Sequence, residues 1–349
     1  MSIDIINIEN KKSLLGRRWK LKDFDERKAI HLSQKFNLTY LLGKLLTIRD
    51  VDSESVENFI NPNINNDIPN PNELKDIDNA ALRVVEAIEK KQKIGIIADY
   101  DVDGSTSAAI LYKFLINFIP SIIIKIPNRL VDGYGPNIKL MKEMLDNKVD
   151  LIFTLDCGTT ANQIIDNKDF RDIDVIVIDH HLSETILPNV FAIINPNRVD
   201  DNSNYKQLAA VGVTFLFLMY LRKKMRKLNK FKKIIEPNLL VYLDLVALGT
   251  VCDVVELKNY NRLFVKKGLE LIHKRYHKGI ANLIDNSKIS SPPTSQDLGF
   301  IVGPQINAAS RIDDSSLASK LLISNDIEQI SSTSKKLYLL NEKRKLIEN

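Results

Sequence analysis

Cysteine is nearly absent from this chain of 349 residues, which contains only Cys157 and Cys252. Two cysteines cannot form a disulfide framework, so the sequence predicts a protein of a reducing compartment, and we expect the cytoplasm. Cysteine is also too scarce for a structural zinc site built from thiolates. Both cysteines are predicted to be small core residues.

Signals for export and for membrane insertion are missing as well. The amino-terminal segment MSIDIINIENKK lacks the basic and then apolar pattern of a signal peptide. The longest apolar run, at 208–221, is too short to span a bilayer and ends at Arg222 and Lys223, so we interpret it as a buried helix. The sequence therefore predicts no membrane role.

The chain has neither a strong charge excess nor a glycine-rich phosphate loop. Its 49 Lys and Arg residues nearly balance its 44 Asp and Glu residues, and a net charge of +5 permits a polyanionic partner without requiring one. The basic run at 222–233 is interpreted as a solvated helix face. No GxxxxGK(S/T) or GxGxxG motif occurs, which disfavours ATP hydrolysis and dinucleotide chemistry.

The sequence does contain short apolar segments that alternate with helical segments. Strands are predicted at 94–98, 122–126, 151–155 and 175–178, with a further short apolar run at 191–194. The helices among them are predicted at 78–91, 105–118, 137–147 and 161–167. Continuous apolar strands that alternate with helices are typical of a parallel sheet covered on both faces. The predicted fold class is therefore α/β, with a doubly wound, mainly parallel sheet.

The length of the chain suits two domains, or one large domain with appendages. We predict a helical lead-in at 1–75, the α/β core at 76–260 and a helical connector at 261–349. The tail after Ile323 is predicted to be one long polar helix.

Acidic and histidine residues follow three of the predicted strands. They are Asp99, Asp101 and Asp103 after the first strand, Asp156 after the third, and Asp179, His180 and His181 after the fourth. Because ligands bind outside the carboxyl ends of the strands in an open parallel sheet, we expect these side chains to converge. One acid beside a glycine would ordinarily cap a turn or a helix, but a helix N-terminus does not explain so many acids together.

This set of side chains predicts a metal site. Packed carboxylates repel one another unless a cation neutralises them, and the two adjacent imidazoles add nitrogen ligands. A mixed set of nitrogen and oxygen ligands suits Mn²⁺, and suits Zn²⁺ or Fe²⁺ less specifically. There are enough ligands for two divalent ions, an arrangement that typically hydrolyses phosphoesters.

Four segments resemble the motifs of a known family. IADYDVDGST, TLDCGTT, VIDHH and, later in the chain, LVALGTVCDVVEL are similar in order and spacing to the phosphoesterase motifs of the DHH superfamily. The helical lead-in, PNRLVDGYG at 127–135 and GFIVGPQINAASRI at 299–312 resemble the RecJ branch of that family. The resemblance extends over nearly the whole chain.

The resemblance implies a set of metal ligands. They are Asp101, Asp103, Asp156, His180, His181 and Asp253, of which Asp156, His180, His181 and Asp253 carry the catalysis. Asp156 and Asp253 are implied to be shared between two divalent ions, Mn²⁺ by preference and Mg²⁺ as the alternative. Asp99 and Asp179 match acids that orient the ligands by hydrogen bonds. From the residues alone, Asp253 would be interpreted as a solvent-exposed acid that ends an apolar helix.

Further residues match substrate contacts of the RecJ branch: Arg129, Tyr134, Gly135, Asn307 and Arg311. An arginine can bind a phosphate through two parallel hydrogen bonds, although a surface arginine beside an ordinary turn is the alternative for Arg129. The chain departs from the family pattern at Gln305 and Ser310, where the family commonly has Arg and Gly. The first departure is expected to remove a cation near the scissile phosphate.

The implied activity is that of an exonuclease specific for single-stranded DNA, which acts in the 5′-to-3′ direction and releases 5′-mononucleotides in DNA repair and recombination. Helicases and single-strand-binding proteins are candidate partners. The family continues into a DHH-associated domain, which we expect either in a longer polypeptide or on a separate chain. Two alternatives stay open: a DHH phosphodiesterase for short oligonucleotides or cyclic dinucleotides, and a non-catalytic repair scaffold.

Overall fold

The computed structural model describes residues 12–20, 22–63, 69–232 and 234–348. Residues 1–11 of the predicted lead-in lie outside the described residues. The chain divides into two compact units, 1–63 and 64–349. The predicted domain boundaries at 75 and 260 stay predictions. In the described part of the chain, no helix is both long and apolar enough to cross a membrane.

The first unit contains three short helices, α1 (Glu26–Lys35), α2 (Tyr40–Ile48) and α3 (Val56–Ile60). The side chains of Asp25 and Thr39 cap the first two, because they accept hydrogen bonds from the backbone N–H groups of Lys28 and Leu42. The small buried core of this unit consists of Leu32, Leu46, Val51 and Val56.

The second unit is organised around one sheet of five parallel strands. They are β1 (Ile94–Ala98), β2 (Ile122–Lys125), β3 (Leu151–Leu155), β4 (Asp174–Ile178) and β5 (Ala192–Ile194). Their order is β2-β1-β3-β4-β5, and every neighbouring pair is parallel. The order changes direction between β1 and β3. The predicted parallel α/β sheet is confirmed.

Helices cover both faces of the sheet, because alternate residues of a strand point to opposite sides. Ile96 and Phe153 belong to a larger core, whereas their neighbours Ile97 and Ile152 belong to a smaller one. The larger core includes residues of α4 (Ile77–Glu89), α5 (Val102–Leu115) and α8 (Ala210–Lys227). The smaller core includes residues of α6 (Ile138–Asp146) and α7 (Asn162–Ile165). The sheet is therefore doubly wound, as the sequence predicts.

The later part of the chain is helical. Its helices are α9 (Leu243–Cys252), α10 (Asn259–His273), α11 (Lys278–Asn286), α12 (Ser295–Asp297), α13 (Gly303–Ile312), α14 (Leu317–Ile323) and α15 (Ile327–Glu348). Short 3-10 helices occur at Pro71–Glu73, Lys168–Phe170 and Leu239–Tyr242, and a π-helical turn, Leu298–Val302, leads into α13. The long helix predicted after Ile323 is present as α15.

The start of α5 differs from the prediction. The sequence predicts that this helix begins at Ser105, but it begins at Val102. The carboxylate of Asp101 accepts a hydrogen bond from the backbone N–H of Gly104 (3.0 Å) and so caps the helix. A Cβ atom on Gly104 would lie 2.4 Å from the backbone oxygen of Asp99, so only glycine fits this turn.

The basic run at 222–233 forms the end of α8 and the segment that follows it, and its last position lies outside the described residues. Lys224 and Lys230 form ion pairs with Asp78 and Glu89. These ion pairs occupy two cations that could otherwise contact phosphates, and the interpretation of the run as a solvated helix face stays a prediction.

Candidate metal centre

The predicted acids and histidines converge at the carboxyl edge of the sheet. The loops after β1, β3 and β4 begin at Asp99, Asp156 and Asp179. β1 and β3 are neighbours at the point where the strand order changes direction, which is where open α/β sheets bind ligands. Asp253, at the end of α9, reaches the same edge, since its Oδ2 lies 3.6 Å from Nε2 of His180.

Seven of these side chains form three overlapping groups that could each hold a metal ion. The groups are Asp156, His180 and His181; Asp103, His180 and Asp253; and Asp99, Asp101 and Asp156. Within a group, the ligand atoms lie within 4.8 Å of one another. Nε2 of His180 lies 3.3 Å from Oδ1 of Asp156 and 3.9 Å from Oδ2 of Asp103. The structure thus brings all six predicted ligands together and places Asp99 among them.

Four buried atoms at this edge have no hydrogen-bond partner among the described residues: Asp99 Oδ1, Asp156 Oδ1, His180 Nε2 and Asp253 Oδ2. A buried polar atom left unsatisfied costs about 1–3 kcal/mol. Carboxylate oxygens and an imidazole nitrogen are ligands that a divalent cation can satisfy together. The donor set therefore fits a divalent metal ion.

The electrostatics of the edge also favour a cation. Burial, followed by repulsion from neighbouring acids, raises the pKa of Asp156 and that of Asp103 well above the usual range. Burial and the Asp101 carboxylate raise the pKa of Asp99 to about 7 and that of Asp253 to about 6. A positive ion among these groups would stabilise their ionised forms.

The backbone is strained beside two of the clustered acids. Asp156 has φ +58°, and Val254, directly after Asp253, has φ +61°. A β-branched residue is a genuine outlier in this left-handed region. Such conformations cost on the order of 1–3 kcal/mol each and are concentrated at functional sites.

Asp179 holds the two histidines in place. Its Oδ1 accepts hydrogen bonds from the backbone N–H groups of His180 (2.8 Å) and His181 (3.2 Å), and lies 2.7 Å from Nδ1 of the His181 ring. Its Oδ2 accepts from the backbone N–H of Thr159 (3.1 Å). Burial alone would raise the pKa of Asp179, but the hydrogen bonds from His181 and Thr159 lower it to about 2. This is the geometry expected of a carboxylate that orients imidazole ligands, and the role stays a prediction.

Asp103 connects the cluster to α8. Its two carboxylate oxygens accept hydrogen bonds from the backbone N–H groups of Ala210 (2.6 Å) and Val211 (2.9 Å), at the start of that helix. A helix N-terminus stabilises negative charge, and a carboxylate has lone pairs left for a metal ion. α8 therefore fixes the position of a predicted ligand that comes from α5.

Sequence reasoning missed two asparagines behind the histidines. Nδ2 of Asn195 donates to the backbone oxygen of His181 (2.9 Å) and to Oγ1 of Thr159 (2.9 Å). Nδ2 of Asn197 donates to the backbone oxygen of His180 (2.6 Å). Both residues follow β5. Because ligands bind outside the carboxyl ends of parallel strands, the residues after β5 were candidates that the sequence could have indicated.

Arg129 and Arg311 lie in one pocket of about 240 Å³, next to Arg344, which the sequence analysis missed. The Arg129 guanidinium lies over the ring of Tyr100, with 5.0 Å between Cζ and the ring centroid. Tyr100 stands between two acids of the metal cluster in the sequence. The two predicted arginines are thus placed together, and Glu348, which forms an ion pair with Arg344, lines the same pocket.

The three other predicted substrate residues are Tyr134 and Gly135, which lie beside residues of the cluster, and Asn307, which has a buried side-chain oxygen. The Tyr134 hydroxyl donates to the backbone oxygen of Asp156 (2.8 Å) and lies 3.2 Å from Nδ1 of His181. Gly135 has φ +76° and packs against Cys157. Oδ1 of Asn307 is buried and has no partner in the described ranges.

The two departures from the family pattern lie in the interior. Gln305 is buried, and its side-chain amide donates to Oγ of Ser287 (2.8 Å) and to the backbone oxygen of Ile301 (3.1 Å). Ser310 is also buried, and its hydroxyl donates to the backbone oxygen of Asn307 (3.0 Å). The amide of Gln305 therefore anchors α13 against the end of α11. The sequence analysis considered only the loss of a cation at this position and did not predict this packing role.

Known proteins resemble this chain in sequence and in structure. The family model described as "DHH family, N-terminal domain" matches residues 93–250. The single-stranded-DNA-specific exonuclease RecJ of Haemophilus influenzae is 38% identical over 282 residues, which cover 80% of this chain and 49% of that protein. RecJ of Bacillus subtilis is 32% identical over 329 residues, covering 94% of this chain and 40% of that protein. The chain thus spans about half, or less, of the length of these curated relatives.

Solved structures agree with the sequence matches. A crystal structure of exonuclease RecJ bound to manganese superposes with a TM-score of 0.70 at 31% identity, covering 79% of this chain and 68% of that one. RecJ of Thermus thermophilus in complex with Mn²⁺ gives a TM-score of 0.76 at 26% identity, covering 94% of this chain and 46% of that one. With the convergent carboxylate and histidine cluster, these matches show that the chain belongs to the RecJ branch of the DHH family.

Proposed function

We propose that this chain carries the catalytic part of a metal-dependent exonuclease that degrades single-stranded DNA from its 5′ end and releases 5′-mononucleotides. The observation that carries the proposal is the set of three overlapping ligand groups at the carboxyl edge of the sheet. The relatives from Haemophilus influenzae and Bacillus subtilis are single-stranded-DNA-specific exonucleases by name, which supports the choice of substrate.

We assign the ligands to two divalent ions. Asp101 and Asp156 would hold one ion, and Asp103, His180 and Asp253 the other. Asp99, predicted only to orient the ligands, lies in the group of Asp101 and Asp156 and would be a further ligand there. Asp156 also lies 3.3 Å from Nε2 of His180, so it could be a ligand of both ions. His181 forms the remaining group with Asp156 and His180. The imidazoles favour Mn²⁺, with Mg²⁺ as the alternative, and the solved relatives hold one or the other. When bound, such ions activate water for attack on phosphorus and stabilise the charge that develops on the phosphoryl oxygens.

The protein's own side chains would hold and orient the strand. The guanidinium groups of Arg129 and Arg311 line one pocket and can each bind a phosphate through two hydrogen bonds. Asn307, on the same helix as Arg311, is a further candidate contact, although its Oδ1 is buried in this structure. Asp179 keeps His181 oriented throughout, because it accepts from both its ring and its backbone. Because the proposed substrate is single-stranded DNA, helicases and single-strand-binding proteins are the candidate protein partners.

The test is Mn²⁺-dependent release of nucleotides from 5′-labelled single-stranded DNA, run beside a duplex of the same sequence and beside the Asp156→Ala variant. Label released as mononucleotide from the single strand alone, and lost in the variant, is the expected result. Hydrolysis that persists in Asp156→Ala would refute the assigned centre. A dinucleotide cleaved faster than the long strand would favour a phosphodiesterase for short oligonucleotides.

A further inference from the structure

A short hairpin precedes α1 in the first unit. Lys12 and Arg18 pair as an antiparallel bridge. The backbone N–H of Ser13 donates to the oxygen of Arg17 (2.8 Å), and the N–H of Gly16 donates to the oxygen of Ser13 (2.8 Å). Gly16 has φ +71°, which closes a loop of three residues in the manner of a type I turn with a glycine bulge. We call residues 12–20 the basic hairpin.

The basic hairpin exposes apolar side chains to solvent. Leu14 and Leu15, at its tip, are fully exposed, and the Trp19 side chain is 63% exposed. Trp19 is the only tryptophan in the chain. A tryptophan offers a large apolar ring that is ordinarily buried in a core or against a ligand. The packing of the first unit therefore leaves this ring available to a partner.

The same hairpin carries an excess of positive charge. Its cations are Lys12, Arg17, Arg18 and Lys20, all exposed, and the segment contains no acid. None of the four forms an ion pair with a described residue. Cations that lack an internal partner are free to contact the phosphates of a nucleic acid. The partner that suits this surface is thus a polyanion.

We propose that the basic hairpin binds single-stranded DNA through a base stacked on Trp19 and phosphates held by Arg17, Arg18 and Lys20. An exposed aromatic ring interleaved with cations is the recurrent means of binding single strands without sequence preference, because every base has a flat face. In a duplex the faces of the bases are already stacked, so only the charge would be recognised. The choice of DNA as the polyanion rests on the proposed function, whereas the basic hairpin shares no residue with the metal centre.

The single tryptophan makes the proposal directly measurable. The full chain is titrated with a 20-residue oligothymidylate in EDTA, so that no hydrolysis takes place, and the fluorescence of Trp19 is followed. We expect saturable quenching by the single strand and much weaker quenching by a duplex of equal length. The logarithm of the affinity should fall with the logarithm of the salt concentration, with a slope of about −0.7 for each phosphate contacted.

Variants separate stacking from charge, with affinity measured by the anisotropy of a labelled oligonucleotide. Trp19→Ala should weaken binding by roughly five-fold to a hundred-fold, as expected for the loss of one stacked base, and Trp19→Phe should retain most of the affinity. Arg17→Gln and Arg18→Gln should each lower the salt slope by about 0.7.

Two controls match these changes. Tyr40→Ala removes another exposed aromatic ring of the first unit, and Arg27→Gln removes a cation that stands among Asp23, Asp25 and Glu26. Neither variant should change the affinity. Circular dichroism confirms that each variant is folded.

Three results would overturn the proposal. They are quenching by the duplex equal to that by the single strand, quenching by anionic lipid vesicles at equal charge, and an unchanged affinity in Trp19→Ala. If Mn²⁺-dependent hydrolysis proceeds while oligothymidylate leaves Trp19 unquenched, the basic hairpin is refuted and the exonuclease stands. If quenching is intact while hydrolysis is absent, the exonuclease alone is contradicted.

Discussion

Two clusters of ionisable groups in the described part of the chain differ in the signs of the charges that they bring together. At the metal centre, acids crowd together, and several buried ligand atoms have no partner in the described part of the chain. The second cluster, among α5, α9 and α11, contains the acid Asp244, the base Lys113 and the imidazole His277.

The second cluster contains both an acid and a base, and we call it the balanced cluster, although Oδ2 of Asp244 has no hydrogen-bond partner in the described part of the chain. Burial raises the pKa of Asp244 to about 7, and Lys113 acts in the opposite direction. Burial, with the nearby charge of Lys113, lowers the pKa of His277 to about 4, so this ring is neutral at pH 7. Nε2 of His277 lies 2.9 Å from the backbone oxygen of Leu322, and Nδ1 accepts from the N–H of Ile280 (3.4 Å), as a neutral ring can. Uncompensated charge of one sign, and not burial by itself, is what marks a ligand site.

The largest expected effect comes from neutralising the central acid of the metal centre. Asp156→Asn should lower hydrolysis by more than about a thousand-fold, because it removes a ligand shared by two groups. Without metal, the same variant should raise the melting temperature, since one of several repelling carboxylates is gone. Activity assays and thermal unfolding in EDTA measure the two effects.

Asp244→Asn is the matched variant in the balanced cluster, and it should leave hydrolysis unchanged. The distinction between the clusters fails if Asp156→Asn lowers the stability of the metal-free chain, or if Asp244→Asn abolishes activity.

The next effect concerns the packing that positions Asp103. A Cβ atom added to Gly249 would lie 2.4 Å from Oγ1 of Thr106, 2.8 Å from Cγ1 of Val211 and 3.0 Å from Oδ1 of Asp103. Gly249→Ala should therefore displace the carboxylate and weaken Mn²⁺ binding by about 10- to 100-fold, with a loss of about 1–3 kcal/mol in unfolding free energy. Calorimetric titration and chemical denaturation provide the two values.

Gly212 on α8 is the matched glycine, because a Cβ atom there meets its neighbours no closer than 3.4 Å. Gly212→Ala should leave metal binding intact and add about 0.5–1 kcal/mol of stability through helix propensity. Equal losses of Mn²⁺ affinity in the two variants would show that Asp103 is not positioned as described.

A smaller effect is expected from the asparagines behind the histidines. Asn197→Ala removes the donor to the backbone oxygen of His180 and should weaken Mn²⁺ binding by about ten-fold, with little change in the fold. The paramagnetic resonance of bound Mn²⁺ reports the affinity without any need for turnover. The matched control is Asn189→Ala. The backbone N–H of Asn189 donates to Asp166, a bond that the substitution keeps, so this variant should not change Mn²⁺ affinity. Identical affinities in both variants would exclude a positioning role.

The last effect is a pH dependence to which two groups of the balanced cluster contribute in opposite directions. The pKa of Asp244 in the folded state, about 7, exceeds the ordinary value of 3.8, so the folded state binds the extra proton and this group lowers stability as pH rises from about 4 to 7. The pKa of His277 in the folded state, about 4, lies below the ordinary value of 6.5, so this group lowers stability as pH falls through the same window. The two contributions oppose each other.

Single variants should expose them. Relative to the parent chain, stability in Asp244→Asn should rise more steeply with pH between 4 and 7, by up to about 1.4 kcal/mol per pH unit. His277→Asn, which keeps a side chain able to cap α11, should change the slope in the opposite sense. Denaturation at several pH values measures both slopes. If both variants change the slope of stability against pH in the same direction relative to the parent chain, the assigned pKa shifts of Asp244 and His277 are wrong.

The residues alone were enough to predict the parallel sheet and most of the metal centre. Strand periodicity locates the ends of β1, β3 and β4, and a parallel sheet necessarily brings those ends to one edge. The acids and histidines that follow directly, from Asp99 to His181, could be predicted for that reason. Asp253 required the family resemblance, because an acid at the end of an apolar helix carries no local sign of where that helix lies.

Only the tertiary structure decided how the site is held. Asp103 caps α8 across 107 positions of sequence, and Asn197 supports His180 from the segment after β5. Such contacts depend on how helices and loops pack, and no window of local sequence contains both partners. The local sequence shows that Trp19 stands among cations, but only the fold of the first unit shows that its ring is exposed. The sequence by itself thus determined which groups meet at the sheet edge, and packing decided which backbone groups fix them there.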